Sequence, residues 1–266
     1  YMTGTIGGIV IATLVVGLTG IIIAVLLSIA GERFKVEVDE KEIKVREALP
    51  GNNCGGCGYP GCDGLAAAIA KGEAPVSGCP VGGDAVAASI ASIMGTEAES
   101  GAKMVAFVSC AGTCEKAETL YDYVGPHSCV LAQNNPGGGA KACSYGCMGF
   151  GDCVKACPFD AIEIVDGVAV VDSEKCKACG KCIAACPRHI IELVPDASKH
   201  RVKCRSRDKG VEVKKACRAG CIGCGLCMRN CPEGAITVEN NLAHVNYEVC
   251  TNCGTCKEKC PVKIIT

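Results

Sequence analysis

Cysteine is the residue type here whose number and spacing could do chemistry. The chain has 25 cysteines in 266 residues, and most fall in short, regular runs. Cys176, Cys179, Cys182 and Cys186 form a C-x2-C-x2-C-x3-C-P run ending at Pro187, and Cys250, Cys253, Cys256 and Cys260 form another ending at Pro261. Cys221, Cys224, Cys227 and Cys231 make a third, closed by Pro232. Thiolates at this spacing hold iron–sulfur clusters, whereas a disulfide framework has no reason to repeat it. Such clusters, with every iron ligated by protein, leave no open position for a substrate and carry single electrons.

The runs repeat with an offset of 74 residues, from Cys143 to Cys217. Cys147, Cys153 and Cys157 map onto Cys221, Cys227 and Cys231, but Cys224 falls opposite Phe150. Each copy carries a hairpin signal between its two runs. It is Asp166-Gly167 within AIEIVDGVAVVD in the first copy and Asn240-Asn241 within AITVENNLAHVN in the second. A proline after each fourth cysteine ends the short helix that carries the ligand.

Each unit resembles a bacterial two-cluster ferredoxin, in which the fourth cysteine of each run ligates the other cluster. That resemblance implies one set of Cys221, Cys224, Cys227 and Cys260 and another of Cys250, Cys253, Cys256 and Cys231 in the second unit. In the first unit it implies Cys176, Cys179, Cys182 and Cys157, and leaves Cys147, Cys153 and Cys186 one ligand short. Cys143, four residues before Cys147, is the expected substitute; a three-cysteine cluster, with or without Asp152 as an oxygen ligand, is the other reading. Cys110, Cys114 and Cys129 are spare and leave room for one extra cluster with a further cysteine. Cys204 (in HRVKC) and Cys217 (in KKAC) echo that spare group, and read equally as small buried residues. The expected content is five [4Fe–4S] clusters, with a sixth as the upper count.

Upstream, CGGCGYPGC followed by SGCP supplies Cys54, Cys57, Cys62 and Cys79, enough for one more four-iron site, included in the five. Glycines there permit the turns that aim backbone N–H groups at sulfur. Residues 65–71 and 84–94 are alanine-rich and expected to be helical, and residues 34–46 alternate apolar and charged side chains, as a short strand or extended linker would. Residues 6–30 carry no charge and are long enough to span a bilayer, about twice the apolar core of a signal peptide. They are expected to be a retained single-pass anchor. Arg33, Lys35, Lys41, Lys44 and Arg46 then place the bulk of the chain on the cytoplasmic side of the inner membrane.

The expected architecture is α+β. It comprises an anchor helix (1–31), a single-cluster module (32–100), a ferredoxin-like unit with a cysteine-rich extension (101–200) and a second such unit (201–266) in tandem. A net charge of −1 gives no signal for nucleic acid. No P-loop or dinucleotide-binding glycine pattern is present, and the four histidines (127, 189, 200, 244) are scattered, so no catalytic residue of its own is expected. The whole layout, including CSYGCMGFGDCVKACPFDAI and GCIGCGLCMRNCPEGAI, resembles the B-subunit family of the Rnf complex. The resemblance implies an electron-transfer component of a ferredoxin:NAD⁺ oxidoreductase coupled to Na⁺ or H⁺ export. Its partners would be reduced soluble ferredoxin and the other Rnf subunits. The alternative is a ferredoxin-like subunit of a membrane-bound hydrogenase or formate-oxidising complex, which would lack the CGGCGYPGC module.

Overall fold

The computed structural model describes residues 2–33, 39–97 and 102–266. Helix α1, Met2–Arg33, stands apart, and from Leu14 to Ile29 its large apolar side chains are half to two-thirds exposed. The segment Thr13–Gly31 is long and apolar enough to cross a membrane. Thr19 turns its hydroxyl back onto the carbonyls of Val15 (3.0 Å) and Val16 (2.9 Å), so this hydroxyl is not left bare to lipid.

The next element departs from the strand or linker expected for residues 34–46. Residues 34–38 lie outside the described residues, and the rest belongs to helix α2, Glu40–Ala48. Local chemistry explains this. Asp39 caps the Lys41 N–H, Glu40 and Glu42 occupy the positive first turn, and Arg46 sits in the last. Val45 and Leu49, one turn apart, are buried, so the apolar spacing that counts is helical. They pack on α3 (Cys62–Ala70) and α4 (Gly83–Met94) through Leu65, Ile69 and Ile90, an apolar core in its own right.

The remainder is built on three two-stranded antiparallel sheets. β2 (Ile162–Val165) and β3 (Val168–Val171) form one hairpin; β5 (Ile236–Glu239) and β6 (Leu242–Val245) form its counterpart at the 74-residue offset. Both turns have two consecutive left-handed residues, Asp166-Gly167 and Asn240-Asn241, the tight connection the sequence signals. β1 (Met104–Val108) pairs with β4 (Ile191–Pro195), Val108 opposite Ile191. Short helices carry the cysteine runs: α6 (Asp152–Lys155) packs on α7 (Lys181–Ala185), and α9 (Leu226–Arg229) on α10 (Thr255–Lys259). Two further helices, α5 (Cys129–Ala132) and α8 (Gly210–Ala216), lie in the segments leading into the two copies. The cores of these units mix buried cysteine and alanine with valine, isoleucine, Phe107 and Leu242.

The repeat holds in three dimensions at close contacts. Gly149 and Gly223, both with positive φ, abut the hairpin turns: a β-carbon would lie 2.7 Å from the Gly167 carbonyl oxygen and 2.8 Å from that of Asn241. Only glycine fits there.

Candidate metal centres

Four pockets in the cysteine-rich region are each lined by four cysteines. One of about 330 Å³ has Cys221, Cys224, Cys227 and Cys260; one of about 300 Å³ has Cys231, Cys250, Cys253 and Cys256. A third, of about 360 Å³, has Cys129, Cys147, Cys153 and Cys186. The fourth, of about 450 Å³, has Cys110, Cys143, Cys204 and Cys217. Two more groups are drawn together. Burial, then the Cys176, Cys179 and Cys157 thiolates, pushes the Cys182 thiol up to about 11. Burial, and further down Cys62 and Cys54, raises Cys79 in the first module.

The structure differs from expectation at the site facing Phe150. Cys129, not Cys143, stands with Cys147, Cys153 and Cys186. Burial, then Cys147, Cys186 and Cys129, pushes the Cys153 thiol up to about 12. Two side chains, Phe150 and Asp152, hold the segment around Cys129. Phe150 packs against Tyr123 (centroids 4.9 Å apart) and edge-on against His127 (5.4 Å), pinning the incoming segment. Asp152 then accepts hydrogen bonds from the Ser128 hydroxyl (2.9 Å) and the Val130 N–H (3.1 Å), on either side of Cys129. Oδ2 of Asp152 is thus engaged as a clamp, while the residue also lines the pocket of the four cysteines. Its counterpart in the second copy is Leu226, and Cys224 stands where Phe150 does. The trio Cys110, Cys114 and Cys129 is likewise divided: Cys110 and Cys129 line different pockets and Cys114 is exposed.

The chemistry of these groups fits four-iron clusters. All the cysteines are free thiols. Burial makes the Cys153, Cys182 and Cys227 thiolates costly and neighbouring thiolates make them costlier, so a cationic core is what would let them ionise with their neighbours. Among the described residues no three thiol, imidazole or carboxylate groups converge closely enough for a single metal ion. The thiols surround voids instead, which suits a cube of iron and sulfide and not a lone zinc.

Unpaired donors mark the same places. Among the described residues three buried side-chain nitrogens have no hydrogen-bond partner, and two of them, Arg188 Nε and His200 Nδ1, belong to residues that line a four-cysteine pocket, while the third is Arg201 Nε. Cluster sulfides accept such bonds and are tuned by them. Arg188 also donates through Nη2 to the Gly138 carbonyl. Burial lowers its pKa, and the Cys143, Cys186 and Cys129 thiolates pull it back. Neither residue stood out in sequence; the signal available was that Arg188 faces Val262 across the repeat. His189, next to it, is exposed. Arg188→Met is expected to lower the midpoint potential of one cluster by on the order of 50 mV, because a nearby cation favours the more negative reduced state. Redox-poised EPR reads this; an unshifted midpoint would show that the guanidinium does not sense the cluster.

The first module touches the next site directly. A β-carbon on Gly56, between Cys54 and Cys57, would lie 2.7 Å from the Cys179 carbonyl oxygen, so this contact needs glycine.

Comparison with known proteins finds iron–sulfur families along the chain. A family model named for an Fe-S cluster matches residues 49–81, and two models described as "4Fe-4S dicluster domain" match residues 139–187 and 220–264. The chain is 48% identical over 237 residues to the B subunit of the Na(+)-translocating ferredoxin:NAD(+) oxidoreductase complex of Acetobacterium woodii, covering 89% of this chain and 71% of the relative. It is 46% identical to the B subunit of the ion-translocating oxidoreductase complex of Methanosarcina acetivorans, covering 87% and 88%. The chain belongs to the family of Rnf B subunits. A third member, the B subunit of the proton-translocating ferredoxin:NAD(+) oxidoreductase complex of Clostridium ljungdahlii, is 42% identical over 91% of this chain and 86% of its own. As an Rnf B subunit, this chain is a membrane-associated iron–sulfur electron-transfer protein. None of the three matched regions reaches Cys110, Cys129, Cys204 or Cys217.

Proposed function

We propose that this protein is a membrane-tethered wire that takes electrons from reduced ferredoxin and passes them to other Rnf subunits, towards NAD⁺. The observation that carries it is the set of four-cysteine pockets strung through the chain, with the Gly56–Cys179 contact joining the first module to the next site. A [4Fe–4S] cluster, when bound, supplies a one-electron carrier with a potential set by its surroundings.

Five sites belong to the wire on this reading. Cys54, Cys57, Cys62 and Cys79 hold the first, in the single-cluster module (32–100). Cys157, Cys176, Cys179 and Cys182 hold the second, and Cys129, Cys147, Cys153 and Cys186 the third, in the first ferredoxin-like unit (101–200). Cys221, Cys224, Cys227 and Cys260 hold the fourth, and Cys231, Cys250, Cys253 and Cys256 the fifth, in the tandem second unit (201–266).

The protein's own part is to bind, orient and shield. The Ala106 N–H donates to the Cys176 sulfur at 3.3 Å, and the left-handed Gly151, Gly180, Gly225 and Gly254 open the short ligand helices. Apolar side chains such as Val238 and Ile264 close the pockets to water. Cys224 and Cys253 are exposed, which supports the second unit as the side that meets a soluble donor. The opposite end of the chain is the anchor (1–31), single-pass with the cluster units on the cytoplasmic side. The described span Thr13–Gly31 holds no ionisable side chain, so ion translocation is left to other subunits.

Anaerobically purified protein is expected to be brown and to carry acid-labile sulfide equimolar with iron, at about four iron per site. A colourless protein binding zinc alone would remove the basis for a wire.

A further inference from the structure

We propose that Cys110, Cys143, Cys204 and Cys217 hold a further [4Fe–4S] cluster, shared between the two ferredoxin-like units and forming the one-electron junction between them. This rests on the wire reading above and adds a site that the cysteine runs do not contain.

The site is built with internal symmetry. In the first unit Val108 lies opposite Ile191, and the Ser109 N–H donates to the Ile190 carbonyl (2.8 Å). In the second, Val202 pairs with Ile265, and the Lys203 N–H donates to the Ile264 carbonyl (3.0 Å). Ile190 and Ile191 map onto Ile264 and Ile265 at the 74-residue offset. Val108-Ser109-Cys110 is therefore the structural counterpart of Val202-Lys203-Cys204. Cys143 and Cys217 are counterparts at the same 74-residue offset. Each unit thus contributes one cysteine from two residues past its paired position and one from the head of its first run. Two equivalent ligands from each of two related halves is the pattern of a metal site on a two-fold interface. The two halves here are consecutive in one chain.

Register supports the pairing. The offset is 94 residues between Cys110 and Cys204 but 74 between Cys143 and Cys217, so the first copy carries 20 extra residues between these ligands. That interval is where Cys129 lies. The insertion supplies the ligand that Phe150 cannot, and leaves Cys143 free to serve the junction.

The hydrogen bonds show what the junction connects. The Cys110 sulfur accepts from the N–H of Gly112 (3.4 Å) and of Cys147 (3.4 Å). The Cys204 sulfur accepts from the N–H of Cys221 (3.3 Å). Cys147 and Cys221 are counterparts, and each lines the four-cysteine pocket on its own side. One backbone amide therefore separates a junction ligand from the site on either flank. Cations surround the same pocket. Lys141, held by the Gly112 and Gly167 carbonyls at 2.8 Å each, lines it with Lys203 and Arg205 and balances the negative charge of a thiolate-bound cluster. Held by Cys110, Cys143, Cys204 and Cys217, a cluster would supply a one-electron carrier that takes an electron from the cluster of one unit and gives it to the cluster of the other. No bond or proton moves.

The test is iron and acid-labile sulfide per chain on anaerobically purified full-length protein, with EPR after dithionite reduction. Wild type is expected to hold about 24 iron. Cys204→Ser and Cys217→Ser are each expected to lose about four iron, and the double variant the same four, not eight. Wild type with about 20 iron would overturn the junction and leave the five-site wire standing, whether or not any variant folds. Wild type with no iron would overturn both. Full iron retained in Cys217→Ser, or about eight lost in the double variant, would overturn a shared site.

Discussion

Stripping iron from the anaerobic protein is expected to unfold residues 102–266 and to spare most of the first module. The reason lies in what each core is made of. The first module buries Val45, Leu65, Ile69 and Ile90 against one another, with helices α2, α3 and α4 supplying the faces. The cores of the two hairpin units hold eight buried cysteines with alanine, valine, isoleucine, Phe107 and Leu242, packed around the pockets, where the core of the first module holds, among the described residues, only Cys62. A small domain stands roughly 5–15 kcal/mol above its unfolded state. For small metal domains such as zinc fingers, metal binding contributes about 10–16 kcal/mol, enough on its own to decide whether they fold. Losing several clusters therefore outweighs everything else these units have. Hydrogen exchange after chelation reads it by segment. The amides of 162–171 and 236–245 are expected to lose protection, while 62–70 and 83–94 keep most of theirs. Hairpins that stay protected without iron would show that the clusters are passengers rather than cores.

Cys129→Ala is expected to remove one cluster or cut it to three irons, with the appearance of a three-iron EPR signal and a loss of about one to four iron per chain. Cys143→Ala is expected to lose about four iron from a different site, so that the EPR differences of the two variants are not superimposable. A Cys143 that replaced the ligand opposite Phe150 would instead give matching losses. Asp152→Leu, which copies the second repeat, serves as the positional control. It removes the clamp on Ser128 and Val130 without removing a thiol, and is expected to loosen the same cluster that Cys129→Ala removes. If Cys129→Ala keeps full iron and an unchanged EPR spectrum, Cys129 is not a ligand.

These variants also mark where sequence stops being informative. The hairpins were legible because Asp166-Gly167 and Asn240-Asn241 state their turn type locally. The helices of the first module at 62–70 and 83–94 were legible from composition. The helix at Glu40–Ala48 was not, because the alternation through residue 46 imitates a strand and the Asp39 cap outweighs it. The ligand opposite Phe150 was hidden for a different reason. Cys129 lies 18 residues before Cys147, in a segment with no periodic pattern, and lines the same pocket through contacts made by Tyr123, His127 and Ser128 with Phe150, Asp152 and Lys155. Phe150 stands where the second copy has Cys224, and it packs against the segment that carries Cys129. Cys204 and Cys217 look superfluous beside a complete run, since their counterparts lie 94 and 74 positions away.

The central claim, a continuous one-electron wire, is tested most directly by counting electrons. A coulometric reductive titration of the anaerobic full-length protein, followed by visible bleaching and EPR, is predicted to take up about one electron per cluster, roughly five to six per chain. Bleaching should proceed through overlapping one-electron steps. Uptake of no electrons, or bleaching that stops after one or two with the remaining iron unreduced, would contradict it.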